Sequence, residues 1–184
     1  MKKLLIFLAA LSALAQRPDY IYGIRNKPTV DVREYGAKCD GSANDTTAFT
    51  AALAVATSAK GELTVPSGVC MLDPDTITVG ANVYVKGAGL DATYLKPRSA
   101  GTTFIAWNPA STVSGIADLT IDASAYPLTT NAILTTDVIG GYLERVKIQY
   151  GVNGLRLGAN TKYSHFRNLY INYQTNAAFL SDTN

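Results

Sequence analysis

Several residue types that particular functions require are scarce in this 184-residue chain. Charged residues make up 16% of it, the formal net charge is +2, and Lys and Arg form no run. A nucleic-acid-binding protein normally carries a basic patch or stripe, so the composition predicts no nucleic-acid partner. Histidine occurs once, at His165, and we find no acidic cluster with metal-ligand spacing. The sequence therefore predicts neither a metal site nor a cofactor.

Cysteine is equally scarce. Cys39 and Cys70 are the two cysteines of the chain, and two are too few to define a disulfide framework. A single Cys39–Cys70 bridge is compatible with the sequence, but a pair of small buried thiols is the interpretation that it favours.

A repeat of about 22 residues is the most informative feature of the chain. Three six-residue stretches carry apolar residues at their first, fourth and sixth positions, and a short second stretch that begins with Asn follows each of them. The Asn residues lie 22 and then 23 positions apart. The six-residue stretches are 116–121, 143–148 and 166–171, and the Asn residues are Asn131, Asn153 and Asn176.

This period indicates a fold built by stacking. A repeat in the low twenties that carries short strands instead of helices is typical of one coil of a β-solenoid. Each coil exposes an apolar inner face that only the next coil covers. We therefore predict an all-β solenoid in which the side-chain amides of Asn131, Asn153 and Asn176 stack as a ladder.

The residues before the repeat predict more varied local structure. Residues 46–58 carry apolar side chains at helical spacing, and Asn44 and Asp45 precede them at the N-cap, so we expect a helix that covers the N-terminal end of the solenoid. Residues 30–35 predict a strand that ends in a turn at 38–41. Further short strands are expected at 62–66, 69–72, 76–79 and 83–85.

The first 29 residues divide into an apolar segment and an arm. Residues 1–16 combine Lys2 and Lys3 with a nearly unbroken apolar run and an A-x-A site, which is typical of a secretory signal peptide. A retained apolar helix that docks onto other subunits is the interpretation we favour. Residues 17–29 predict an extended linker or docking arm. The residues assigned to docking are Leu4, Leu5, Phe7, Leu8, Leu11, Leu14, Tyr20 and Tyr22.

Three motifs follow one another in the first half of the chain. They are Y-G-A-K-C-D-G at 35–41, V-P-S-G at 65–68 and V-Y-V-K-G-A-G at 83–89. Together they resemble the pectate-lyase-like superfamily, which includes polygalacturonase-like enzymes and many bacteriophage tailspikes. Its members open with a strand, a Gly-rich turn and an Asp-capped helix, and a strand pair and a Gly-containing coil follow. Cys39 stands where that superfamily usually has Gly.

The resemblance implies a right-handed parallel β-helix over residues 30–184, with an N-terminal capping helix. Because a solenoid needs a polar cap at each end and the last repeat has none, we also expect further coils beyond Asn184. The resemblance implies structural roles for residues in turns, at the helix cap and at solenoid corners. These residues are Gly36, Asp40, Gly41, Asp45, Pro66, Gly68, Gly87 and Gly89. Fold does not determine function, so the resemblance leaves the activity open.

Catalytic candidates in the repeats are few. Glycoside hydrolysis uses two carboxylates about 5 to 10 Å apart. Asp118, Asp122, Asp137 and Glu144 are the available acids, although outward charged residues are usual on any solenoid. Asp118 and Glu144 occupy neighbouring positions of successive repeats and are expected to approach each other on an outer face. His165 is expected at a solvated coil edge. The motifs of polygalacturonases are absent from the sequence.

Three interpretations of function remain. The favoured one is a component of a phage tailspike or tail appendage, located in the virion tail and attached through its N-terminus to other tail proteins. Its β-helix, expected to be a homotrimer, would recognise host-surface polysaccharide, with or without depolymerising it. The second is a secreted bacterial enzyme of the polygalacturonase or pectate-lyase type, exported by residues 1–15. The third is a non-catalytic surface or adhesion protein.

Overall fold

The computed structural model describes residues 27–110, 113–126 and 130–182. The predicted apolar helix, most of the predicted arm and all the residues assigned to docking lie outside these ranges. Within them, neither helix is long and apolar enough to cross a membrane. The elements are β1 (Thr29–Asp31), a 3-10 helix (Val32–Tyr35), β2 (Asp40–Asn44), α1 (Thr46–Ser58), β3 (Glu62–Thr64), β4 (Gly68–Leu72), β5 (Ile77–Val79), β6 (Tyr84–Lys86), β7 (Thr93–Pro97), β8 (Thr103–Trp107), β9 (Gly115–Asp122), β10 (Asn131–Thr135), β11 (Tyr142–Gln149), β12 (Asn153–Leu157), β13 (His165–Asn172) and β14 (Ala177–Ser181).

Two parallel sheets run along the stack of coils. The larger sheet has nine strands, and it contains two stacks, β1–β3–β6 and β2–β4–β7, which meet at β9. Strands β11 and β13 continue it. The smaller sheet has five strands in the order β5–β8–β10–β12–β14. The chain is thus a parallel β-solenoid of about five turns, and the predicted solenoid fold is confirmed.

Each long strand of the larger sheet is bent at its fourth residue. Asp118, Arg145 and Asn168 have φ angles of 58°, 50° and 52°, in the left-handed region. In β9 the residues before the bend pair with β6, and those after it pair with β7. The bend explains why apolar residues occupy the first, fourth and sixth positions of the repeat. The left-handed residue turns the chain, so the side chain that follows it points inward again.

Inward side chains stack in columns, one residue for each coil. In the larger sheet, Ile116 and Leu143 lie above one another and belong to a column that also includes Val30, Leu63, Val85 and Phe166. In the smaller sheet a second column contains Ile77, Ile105, Ile133, Leu155 and Phe179. Stacked aliphatic side chains of similar size fill the interior without large voids, and this packing fixes the register of the coils.

Helix α1 closes the N-terminal end of the solenoid and has the predicted bounds. Its buried residues include Phe49, Ala52, Leu53 and Ala56. This face packs against the 3-10 helix, β1 and β3. Three buried residues of the helix are alanines: Ala48, Ala52 and Ala56. Their small side chains let the helix approach the first coil closely.

The carboxylate of Asp45 does not cap this helix, contrary to the prediction. Asp45 is at the N-cap position, but its side chain accepts no hydrogen bond from the helix. Instead its carboxylate accepts backbone N–H groups of Lys38 (2.7 Å), Cys39 (3.2 Å) and Met71 (3.2 Å). The side chain of Asn44 accepts the N–H of Thr46 at 3.0 Å. Asp45 is 1% exposed, so these three donors satisfy a buried acidic side chain, which ties the opening turn to β4.

Cys39 and Cys70 form a disulfide, so the favoured interpretation of two free thiols is wrong. The bond joins the residue before β2 to the centre of β4, across 31 positions of sequence. Both residues are buried. The two chain segments are neighbours because β2 and β4 pair in parallel, and that register cannot be read from cysteine spacing.

Two local predictions near the N-terminal end also need correction. The expected strand at 30–35 is a three-residue strand followed by a 3-10 helix, which Gly36 ends in the left-handed region. Asp31 starts that helix because its carboxylate accepts the N–H of Arg33 at 2.9 Å. The expected turn at 38–41 leads directly into β2, whose first residue is Asp40.

Burial falls in the last described coil. Leu155 is buried, whereas Phe179, its neighbour in the column, is 50% exposed. Phe166 and Leu169 are likewise only partly buried. In the described part of the chain, β13 and β14 each pair with a strand on one side only. The expectation that further coils follow stays a prediction.

The disulfide provides a test of this fold. Reduction should lower the free energy of unfolding by about 3 to 4 kcal/mol, because the closed loop spans 31 positions and restricts the unfolded chain. Urea unfolding with and without reductant measures the difference. The double variant Cys39→Ser/Cys70→Ser should unfold like reduced protein and should not respond to reductant. An unchanged midpoint in protein whose thiols titrate as free would contradict this account.

Candidate functional site

The outward positions of β9, β11 and β13 lie on one side of the solenoid, which we call the outer face; its exposed polar and aromatic side chains come from β11 and β13, because Thr120 and Asp122 of β9 are buried. Strand alternation places them opposite the core columns. The parallel register aligns them across three successive coils. From one end of the strands to the other, the aligned sets are Gly115, Tyr142 and His165; Ala117, Glu144 and Arg167; Thr120, Lys147 and Tyr170; and Asp122, Gln149 and Asn172.

An ion cluster crosses two coils at the bend of the strands. Arg145 donates through Nε to Oδ1 of Asp118 at 2.5 Å and through Nη2 to Oδ2 at 2.9 Å. Its Nη1 donates to Oε1 of Glu144 at 2.5 Å. The hydrogen bond to Asp118 is the largest influence that raises the pKa of Arg145 above its ordinary value. Asp118 and Glu144 therefore do approach each other, but a guanidinium lies between them.

An aromatic column lies before the bend. The rings of Tyr142 and His165 stack with their centroids 4.9 Å apart. Gly115 leaves room for this column, because a Cβ there would lie 3.0 Å from the Tyr84 ring. The ammonium of Lys27 lies 4.5 Å from the centroid of Tyr84. Burial raises the pKa of Tyr84 to about 12 and also raises the pKa of Tyr142, so both phenols keep their protons at neutral pH.

Two lysines, one on β7 and one on β11, are held in ion pairs at the outer face. Lys96 Nζ lies 2.8 Å from Oδ2 of Asp122, and Lys147 Nζ lies 3.1 Å from Oδ1 of Asp91. Asp91 belongs to the loop between β6 and β7, and this loop also accepts a hydrogen bond from the hydroxyl of Thr120. The loop therefore borders the outer face and limits its width beside Thr120.

Two tyrosines mark the corner at which the outer face ends. Tyr150 follows β11, Tyr173 follows β13, and their rings stack with centroids 5.0 Å apart and planes 16° apart. Tyr150 is 37% exposed and Tyr173 is 65% exposed. The sequence analysis missed this pair. The available signal was that each tyrosine follows an amide residue at the same place in successive repeats.

The four acidic candidates do not share one site. Asp118 and Glu144 meet at Arg145, and Asp122 lies beyond the bend on the same face. Asp137 lies in the turn after β10 of the smaller sheet, where its Oδ1 accepts from Nδ2 of Asn160 at 2.8 Å. Each acid has a partner that accounts for its position. A catalytic role for any of them stays a prediction, and His165 is exposed at the start of β13.

The residues assigned structural roles lie within turns and ladders. Asn153 donates its side-chain amide to Asn131 at 3.2 Å, and Asn176 donates to Asn153 at 2.7 Å, which gives the expected amide ladder. The carboxylate of Asp40 accepts the N–H groups of Ala43 and Ser42 in an exposed turn, and these bonds lower its pKa to about 2.

Glycine is required where coils approach closely. A Cβ on Gly68 would lie 2.4 Å from the carbonyl oxygen of Cys39, and one on Gly87 would lie 2.2 Å from that of Asp118. Gly41 and Gly89 have positive φ angles, and the carbonyl of Pro66 accepts the hydroxyl of Thr93 at 2.8 Å. These residues therefore have structural roles in the turns and in the contacts between coils.

Cys39, Asp45 and Cys70 form a group with metal-ligand atoms within 4.8 Å of one another. The two sulfur atoms are bonded to each other, and the carboxylate accepts three backbone N–H groups. The donor atoms of this group are thus already used in the disulfide and in hydrogen bonds to the backbone. The group therefore fits a structural link between chain segments better than a metal site.

The Lys96–Asp122 pair predicts a pH dependence of stability. Burial acts to raise the pKa of Asp122, but hydrogen bonds from Lys96 and Ser124 outweigh it and hold the pKa below 3.8. The resulting stabilisation is present above pH 3.8 and is lost as the pH falls through the lowered pKa. Asp122→Asn should therefore lower Tm at pH 6 and should differ little from the natural protein at pH 2.

Asp91→Asn is the matched control, because Asp91 is also paired with a lysine but its side chain is 74% exposed. It should change Tm little at either pH. Thermal unfolding followed by circular dichroism measures all three proteins. A Tm difference between Asp122→Asn and the natural protein that is equal at both pH values would refute the assignment.

Solved structures with a similar fold are known, although no family model and no curated protein matches the chain. The A-module of mannuronan C-5 epimerase AlgE4 from Azotobacter vinelandii matches with a TM-score of 0.63 and 18% identity, over 84% of this chain and 53% of that one. The AlgE6 A-module from the same organism matches with a TM-score of 0.59 and 23% identity, over 71% and 41%.

A viral protein has the same architecture. ORF18 of Geobacillus virus E2 matches with a TM-score of 0.54 and 20% identity, over 80% of this chain and 30% of that one. The chain therefore spans about half or less of each of these neighbours. The similarities agree, at the level of the fold, with the resemblance to pectate-lyase-like β-helix proteins.

Proposed function

We propose that this protein is a component of a phage tail appendage and that its outer face binds a glycan of the host surface. One observation carries the glycan proposal. The outward positions of β11 and β13 hold phenol, imidazole, amide and charged side chains in register on two successive coils. Aromatic rings can cover the apolar faces of sugars, while amides and carboxylates can bond their hydroxyl groups.

The structural neighbours support this proposal. Two of them are named for their action on mannuronan, and the third is encoded by a virus. A solenoid suits an extended polymer because its coils repeat the same row of side chains along one axis. The predicted homotrimer, the attachment to other tail proteins and the virion location belong to the proposal as well.

A secreted polysaccharide-degrading enzyme is the second candidate. The buried Cys39–Cys70 disulfide favours it, because disulfides form and persist mainly in oxidising compartments. A virion protein would instead acquire the bond after release from the reducing interior of the host cell. The N-terminal mass of the natural protein separates the two candidates. Met1 retained in purified particles supports the tail component, and soluble secreted protein that begins at Gln16 supports the exported enzyme.

Glycan binding is tested with a substitution on the outer face. Tyr170 is 55% exposed on β13, and Tyr170→Ala should weaken binding about five- to tenfold because an aromatic contact is lost. Binding is measured by calorimetry against a panel of bacterial surface polysaccharides that includes mannuronan. Product analysis of the same mixtures reports any cleavage, and light scattering reports the oligomeric state.

Tyr35→Ala is the matched control, because Tyr35 is an exposed tyrosine at the opposite end of the solenoid. Its affinity should equal that of the natural protein. If no polysaccharide of the panel binds, or if both variants bind as the natural protein does, the outer face is not the glycan site.

A further inference from the structure

An uncharged groove lies between α1 and β5, at the N-terminal end of the solenoid. Its volume is about 370 Å³, and its lining includes Leu53, Ala54 and Thr57 of α1 and Thr76 and Thr78 on the side of β5. Helix α1 has no charged residue in its 13 positions. The solvent side of a surface helix normally carries charged side chains. The composition of α1 beside the groove is therefore better suited to contact with another segment than to water.

Strand β5 borders this groove with an unpaired edge. In the described part of the chain, β5 ends the smaller sheet and pairs with β8 alone. The carbonyl of Val79 faces β8, where it accepts the N–H of Asn108 at 2.9 Å. Neighbouring residues of a strand direct their backbone groups to opposite edges, so the N–H and C=O of Thr78 face away from β8. An open edge of this kind is a template for a further extended segment.

The described chain begins beside the same groove. The ammonium of Lys27 donates to the carbonyl of Asn82 at 3.4 Å. Asn82 lies two positions after Gly80, which lines the groove, and a Cβ on Gly80 would lie 3.7 Å from the methyl group of Thr57. Gly80 and Thr57 therefore mark the end of the groove that is nearest to Lys27. Residues 1–26 precede this point in the sequence.

The arm that leads into Lys27 has a suitable length and composition. Thr50 and Thr57 line the groove and lie seven positions apart in α1, a rise of about 10 Å, which about three to four extended residues cover. Residues 20–24, with the sequence Y-I-Y-G-I, are uncharged and mostly apolar or aromatic. The three residues from Ile24 to Lys27 span up to about 10 Å, so this segment can reach the groove without strain.

We propose that residues 20–24 occupy this groove in their own chain, as an added strand beside β5. The arm approaches Lys27 at the end of the groove towards which β5 also runs, so the added strand is parallel to β5, like the strand pairs of the described coils. Its backbone bonds to Thr78, and Tyr20 and Tyr22 share one side of it by strand alternation. The two tyrosines thus bind the solenoid itself, and residues before the arm are left for contacts with other subunits. The inference does not depend on glycan binding.

A photo-cross-link identifies what the arm contacts. In the full chain, p-benzoylphenylalanine replaces Tyr22, which keeps an aromatic ring at that position. After illumination, tandem mass spectrometry locates the new bond. We expect attachment to residues 50–57 or 76–80 of the same chain. Attachment to any other part of the chain, to a second copy or to a different protein overturns the proposal, and so does a chain without an internal cross-link.

Ala54→Glu and Ala51→Glu are a matched pair of variants for the groove. Both alanines are exposed in α1, and Glu is a good helix former, so both variants should keep the helix. Ala54 lines the groove, whereas Ala51 does not. Trypsin can cleave the arm after Arg25, which precedes Asn26. We expect Ala54→Glu to be cleaved there about tenfold faster than the natural protein, because a carboxylate in an apolar contact loses its water. Ala51→Glu should be cleaved at the natural rate.

Hydrogen exchange followed by NMR gives a second measurement on the same proteins. The N–H of Thr78 should exchange slowly in the natural protein and in Ala51→Glu, and faster in Ala54→Glu, because it donates to the arm only while the arm is bound. Equal cleavage of the two variants overturns the proposal, as does fast exchange at Thr78 in the natural protein. None of these results involves a polysaccharide, so this inference and the proposed glycan site can fail separately.

Discussion

Parallel register between successive coils is the constraint on which the rest of the structure depends. Each inward residue lies above a residue of similar shape, so the interior is filled only while the coils stay aligned. The same alignment brings Arg145 onto Asp118, His165 onto Tyr142 and Asn153 onto Asn131. An ion pair, an aromatic stack and an amide ladder are thus three chemical forms of one geometric rule. A one-residue slip of the coil that contains β11 and β12 would break all of them together.

The corners of the coils separate structural from functional demands. A bend requires a residue that tolerates left-handed backbone, and Asn168 meets that demand at little cost. Arg145 also adopts left-handed backbone, and its guanidinium lies between two carboxylates. Its bidentate ion pair with Asp118 offsets part of the backbone strain. Tyr150 and Tyr173 obtain only a mutual stack on the surface. The chemistry of a corner residue therefore indicates whether the fold alone explains its presence.

Much of the architecture could be predicted because it is local or periodic. The repeat of about 22 residues indicated the solenoid and the Asn ladder, and helical spacing gave the bounds of α1. Strand β8 was missed because the period is not kept before Asn131: Thr103 and Asn131 are partners in neighbouring strands but lie 28 positions apart. The disulfide and the role of Asp45 depend on which strands are neighbours. An Asp before a helix gives the same sequence pattern whether its side chain caps the helix or bonds to another segment. The tyrosine corner was missed because an exposed aromatic residue after a strand is ordinary in sequence.

The Cys39–Cys70 bond divides the solenoid into two mechanically different parts. It closes a covalent loop that contains Asp45 and the whole of α1, so the capping end cannot be pulled apart one strand at a time. Within the described residues, the coils of β11 to β14 are held to their neighbours by hydrogen bonds, ion pairs and packing, without a covalent link. Under tension along the axis the coils outside this loop can separate from their neighbours one at a time, whereas residues 39–70 remain a single covalently closed block.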